Sequence, residues 1–68
     1  MARKLTKTYQ REVVPKKAEE LAKSGEFSGW YAIEVHLRSE GYTEARWILD
    51  DERIRENLDR LCQEAHEV

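Results

Sequence analysis

The stretch Phe27-Ser28-Gly29-Trp30-Tyr31-Ala32-Ile33-Glu34-Val35-His36-Leu37-Arg38-Ser39-Glu40-Gly41 decides the fold class. Trp30, Ile33 and Leu37 recur at i, i+3 and i+7, the spacing of one helix face, with Tyr31 and Val35 lying to the side. Ser28 carries a side-chain oxygen suited to capping the free N–H groups of a first helical turn. Phe27 stands just before that cap, where it can pack on Ala32 as a hydrophobic staple. Gly41 closes the segment. Helix signals at both ends leave no room for a strand, although Trp30 to Leu37 is the best strand candidate in the chain.

Working outward, Pro15 predicts the start of an upstream helix, because its missing N–H would be unsatisfied in a first turn anyway. Lys16 to Lys23 is rich in strong helix formers, and Val14, Ala18, Leu21 and Ala22 share one face. Gly25 is the natural stop, since glycine enters the left-handed region without penalty. Downstream, Thr43 is expected to cap a short helix with Ala45, Ile48 and Leu49 on one face. The stripe then breaks: its continuation would fall on Glu52, Arg55 and Glu56. A new stripe runs through Ile54, Leu58, Leu61, Cys62 and Ala65, so a break at Asp50-Asp51 is expected, with one aspartate capping the last helix. Whether 44–66 is one helix or two is left open by the pattern alone.

The expected fold is therefore all-α, a small bundle of three to four short helices at about 15–24, 29–40, 44–49 and 52–66. Residues 15–68 read as a single helical domain. Residues 1–14 read as a basic, partly ordered N-terminal arm: Leu5, Tyr9 and Val13 recur every four positions, but Thr6 and Thr8 weaken a helix there. A chain of 68 residues has a thin stability margin, since so small a domain buries only about 60% of its unfolded surface. Cys62 is the only cysteine, which rules out an internal disulfide. Self-association, in its simplest form a homodimer, is the remaining staple.

Composition bounds the function classes. Charged residues make up 38% of the chain, with both signs plentiful and a net charge of −2. The signs are unevenly placed. Residues 1–17 carry +5, residues 18–43 carry −3 and residues 44–68 carry −4. No stretch approaches the roughly 20 apolar residues of a membrane span, and 1–14 lacks the apolar run of a secretory signal. A cytoplasmic protein without a membrane partner is expected, and the lone thiol is compatible with that compartment.

No catalytic, cofactor or metal constellation is expected, and the chain is read as non-enzymatic. Cys62 and His66 stand at i, i+4 on one helix face, but a structural zinc site needs four ligands and His36 is the only other imidazole. Cys62 falls in phase with the core stripe, where a thiol packs as a small hydrophobe. Glu64 and Glu67 make its surroundings acidic, the opposite of what activates a thiolate. Asp50-Asp51-Glu52 lacks the alternating ligands, turn glycine and distal glutamate of a calcium loop.

Two binding readings remain. The first is a protein–protein interaction or regulatory module acting through Trp30, Tyr31, Tyr42 and Trp47, which cluster about the Gly41 turn. Exposed Trp and Tyr are enriched at interface hot spots, and Trp47 lies off the Ala45–Ile48–Leu49 face. The opposite charges of arm and body offer a second contact, within one chain or between two. The alternative is a nucleic-acid-binding regulator using Arg3, Lys4, Lys7, Arg11, Lys16 and Lys17 on phosphates, with Arg46 as a base reader. Residues 28–49 resemble a generic helix-turn-helix, which implies a recognition helix over 44–49. Asp50 and Asp51 directly behind that helix would repel phosphates.

Overall fold

In the computed structural model, which describes residues 6–66, the chain enters its first helix at Lys7, well before the proline expected to start it. Helix α1 spans Lys7–Lys23 and holds Pro15 in its interior. The first helix therefore does not begin at 15, and residues 7–14 are part of it. Thr6, read as a weakness, is the N-cap: its hydroxyl accepts the Tyr9 N–H at 3.1 Å. The four-residue recurrence of Tyr9 and Val13 was the true signal, and both pack against the core. Proline removes the hydrogen bond to the Arg11 carbonyl, a cost of about 3 kcal/mol in an isolated helix interior. Burial of Gln10, Val14, Ala18 and Ala22 on a continuous face through that point holds the helix together.

Helix α2 spans Trp30–Ser39, α3 spans Ala45–Ile48 and α4 spans Glu52–His66. The break at 50–51 is real, so 44–66 is two helices. Asp51 caps α4 as expected, its Oδ1 accepting the N–H groups of Arg53 at 2.8 Å and Ile54 at 3.4 Å. Gly41, at φ 99°, ends α2. The Tyr42 N–H reaches back to the Leu37 carbonyl at 3.0 Å and the Gly41 N–H to that of Arg38 at 3.1 Å. These are the paired bonds of a Schellman motif, which requires a left-handed residue at the glycine position.

The other two expected caps are corrected. Ser28 does not cap α2; the N-cap is Gly29 and makes no side-chain bond. Asp59, on α4, accepts the Trp30 N–H at 2.9 Å instead. A Cβ on Gly29 would lie 2.8 Å from that carboxylate oxygen, so a larger residue there would push the carboxylate aside. Thr43 does not cap α3 either. Gln10 reaches across from α1, accepting the Glu44 N–H at 2.7 Å and donating to the Thr43 hydroxyl at 3.5 Å. Two helix starts are thus satisfied by side chains of other helices.

The core gathers Val14, Ala18 and Ala22 from α1, Ile33 and Leu37 from α2, Tyr42, Ala45 and Leu49 around α3, and Leu58 and Cys62 from α4. Phe27 packs against this cluster beside the His36 ring, with centroids 5.1 Å apart. At the far end, His66 Nε2 donates to the Gly25 carbonyl at 2.8 Å and ties the last turn of α4 to the α1–α2 corner. Among the described residues no helix is long and apolar enough to cross a membrane.

Candidate functional site

The inward demands of α2 and α3 dictate what they show to solvent. Ile33 and Leu37 bury one face of α2. Tyr31, Val35 and Arg38, at i, i+4 and i+7, consequently form a stripe on another face. In α3 the buried positions are Ala45 and, just beyond the helix, Leu49, with Ile48 half-buried. That leaves Arg46 and Trp47 outside. Tyr31 is 63% exposed, Trp47 62% and Val35 45%, and these are the exposed large hydrophobics among the described residues.

Two grooves of about 580 Å³ each meet along this face. One runs between α2 and α3, lined by Val35, Arg38, Ser39, Thr43, Arg46 and Trp47. The other shares Arg38, Arg46 and Trp47 and extends past Tyr31 to Trp30 and Arg55, with Glu34 and Asp50 also in its wall. The Arg55 guanidinium carbon lies 3.9 Å from the Trp30 ring centroid, while its Nε donates to the Leu49 carbonyl at 3.0 Å and its Nη2 pairs with Asp50 at 3.1 Å. Arg55 therefore closes the end of α3 and shields one face of Trp30. Tyr31 meets Trp30 edge-on, at 5.6 Å and 86°. Arg46 lies 5.1 Å from the Trp47 centroid. Arg38 leans on the buried Glu34 carboxylate through one 3.4 Å contact.

The expected aromatic set divides. Tyr31 and Trp47 are presented to solvent, and Trp30 is half-buried beneath Arg55. Tyr42 is a core residue, 9% exposed, and does not belong to the face. The Schellman geometry explains this, because the residue after the glycine folds back toward Leu37. Val35, Arg38 and Arg55 were not singled out from the sequence. The i, i+4, i+7 spacing of Tyr31, Val35 and Arg38 was the available signal for two of them; Arg55 comes from another helix and left none.

The cationic set is dispersed. Arg3 and Lys4 lie outside the described residues. Lys7, Arg11, Lys16 and Lys17 are all on α1. At about 100° per residue, Lys16 projects from the opposite side of the helix to Lys7. Lys17 sits over the Tyr42 ring at 5.8 Å. The segment expected as a recognition helix is α3, four residues long, or about 6 Å at 1.5 Å per residue.

Cys62 is buried. Desolvation, and secondarily the negative charge of Asp59, pushes its thiol above the ordinary range, which disfavours the reactive thiolate. The imidazole expected beside it, His66, is engaged with Gly25. No group of three or more His, Cys, Asp or Glu side chains among the described residues is arranged to hold a metal ion.

Fold and face together define a class: a small all-α protein, four helices among the described residues, with an aromatic and arginine-bearing surface across α2 and α3. Comparison of the chain with protein-family models, with curated proteins and with solved structures returns no match.

Proposed function

We propose that this chain is a non-enzymatic, cytoplasmic interaction module that docks a protein partner on the α2–α3 face. One observation carries the reading: the exposed large hydrophobics among the described residues, Tyr31, Val35 and Trp47, all border the two adjoining grooves. A monomeric surface scatters such residues, whereas a contiguous set with tryptophan, tyrosine and arginine has the composition of an interface centre. The raised pKa of the buried thiol argues against nucleophilic chemistry.

The test is affinity capture from the native cell with tagged wild-type chain and a Trp47→Ala variant, each with and without nuclease. Proteins retained by the wild type and lost with Trp47→Ala support the reading. Retention that is unchanged in the variant, or abolished by nuclease, overturns it in favour of the cations of α1 and Arg46 acting on nucleic acid. Sedimentation velocity across micromolar concentrations tests whether the partner is a second copy.

A further inference from the structure

The α2–α3 groove has a chemical bias. Its two charged lining residues, Arg38 and Arg46, are both basic, and it is bordered by the apolar Val35 and Trp47. Among the described residues no carboxylate lines it, although the whole chain carries net charge −2 and Glu34 and Asp50 line the adjoining groove. Arg46 rests its guanidinium near the Trp47 ring, and among the described residues no hydrogen bond or ion pair within 4 Å occupies its donors. A guanidinium near an aromatic ring keeps its N–H edge available for a planar, bidentate acceptor. Arg38 spends one N–H on Glu34 at the long distance of 3.4 Å and retains further donors.

We infer that this groove takes an acidic peptide segment of a partner protein, in which an aspartate or glutamate stands beside an aromatic or branched aliphatic side chain. The carboxylate meets Arg46 and Arg38, and the apolar neighbour covers Val35 and Trp47. A phosphate backbone is the less fitting anion. Nucleic acid needs a continuous cationic track, whereas the two arginines form a local cationic spot that gives way to Glu34 and Asp50 in the adjoining groove. The inference deepens the proposed function and rests on the α2–α3 face being the docking surface.

The experiment is selection of a phage-displayed library of random dodecapeptides on the immobilised full chain. The enriched peptides are then synthesised and titrated by fluorescence anisotropy against wild type, Arg46→Ala, Arg46→Glu and Trp47→Ala. Both positions are exposed, and circular dichroism of each variant establishes that the helices persist. Enriched sequences are expected to pair Asp or Glu with Phe, Trp, Leu or Ile. Affinity is expected to fall about tenfold or more with Arg46→Ala, the scale of one charge-assisted contact, further with Arg46→Glu, and with rising salt. Acid-free peptides that still require Trp47 overturn the acidic partner while leaving the docking face intact. Peptides indifferent to Trp47, or no enrichment at all, overturn both. A short single-stranded DNA that binds with equal Arg46 dependence and displaces the peptides overturns the choice of protein over nucleic acid.

Discussion

Gln10 is a buried polar side chain whose amide spans two helices, accepting from Glu44 and donating to Thr43. Gln10→Ala leaves the part-buried Glu44 N–H without its acceptor, a loss on the scale of one hydrogen bond, about 1 kcal/mol. Urea unfolding is expected to show a loss of that size, and because α3 is a single turn, Trp47 fluorescence is expected to shift in the still-folded variant. Asp59, exposed on α4, is the second side chain that caps another helix. Asp59→Ala is expected to cost about 1 kcal/mol, as for a lost N-cap. Gly29→Ala places a methyl 2.8 Å from the Asp59 oxygen, so the two changes are expected to be less than additive in combination. Simple additivity in the double variant would contradict the cap. Cys62 has a consequence for pH. Its folded pKa is raised, so the protonated thiol stabilises the fold fully below the ordinary thiol value of about 8.5. That contribution is lost as pH rises from there through the folded value. Unfolding free energies measured across that alkaline range are expected to fall more steeply for the wild type than for Cys62→Ala.

At the scale of elements, α1 is the one whose sequence pattern misleads. Proline is best tolerated in a first turn, and Thr6 and Thr8 are indifferent helix formers, so local propensity places the start at Pro15. Tertiary packing of Gln10, Val14, Ala18 and Ala22 overrides propensity and extends the helix back to Lys7. The two starts make opposite predictions for Pro15→Ala. In a helix interior the change restores a hydrogen bond worth more than the chain entropy that proline removes from the unfolded state. A gain of about 1–2 kcal/mol is therefore expected in thermal or urea unfolding. A loss would return the helix start to Pro15. The remaining elements follow their patterns closely. The phase break before Ile54 separates α3 from α4, and Gly41 ends α2.

For the whole molecule, the most prominent feature of the sequence is its charge asymmetry, yet the described structure holds α1 against the body chiefly through apolar residues and the Gln10 amide. The ion pairs within 4 Å among the described residues are His36–Glu40, Arg38–Glu34 and Arg55–Asp50, and none involves α1. Raising NaCl to about 0.5 M, where the Debye length is only a few ångström, is therefore expected to change the unfolding free energy by less than about 1 kcal/mol. A large destabilisation would mean that charge, and not packing, docks α1.

The sequence by itself determined the helical class, the stripes of α2 and α4, the break at 50–51 and the cap at Asp51, because each is a local property of spacing and side-chain type. It also placed Tyr31 and Trp47 on offer, since neither is in phase with its own helix's core. Only the tertiary structure decided where α1 begins, how α2 and α3 are capped and which aromatics form the face. Gln10 and Asp59 act across gaps of 34 and 29 residues, and a nearby serine or threonine looks equally suitable until the helices are packed. Tyr42 was lost from the face for the same reason: the turn that follows Leu37 folds the ring inward. Arg38 and Arg46 became a pair only when α2 and α3 were set side by side, and the polarity of the groove is a property of that pairing.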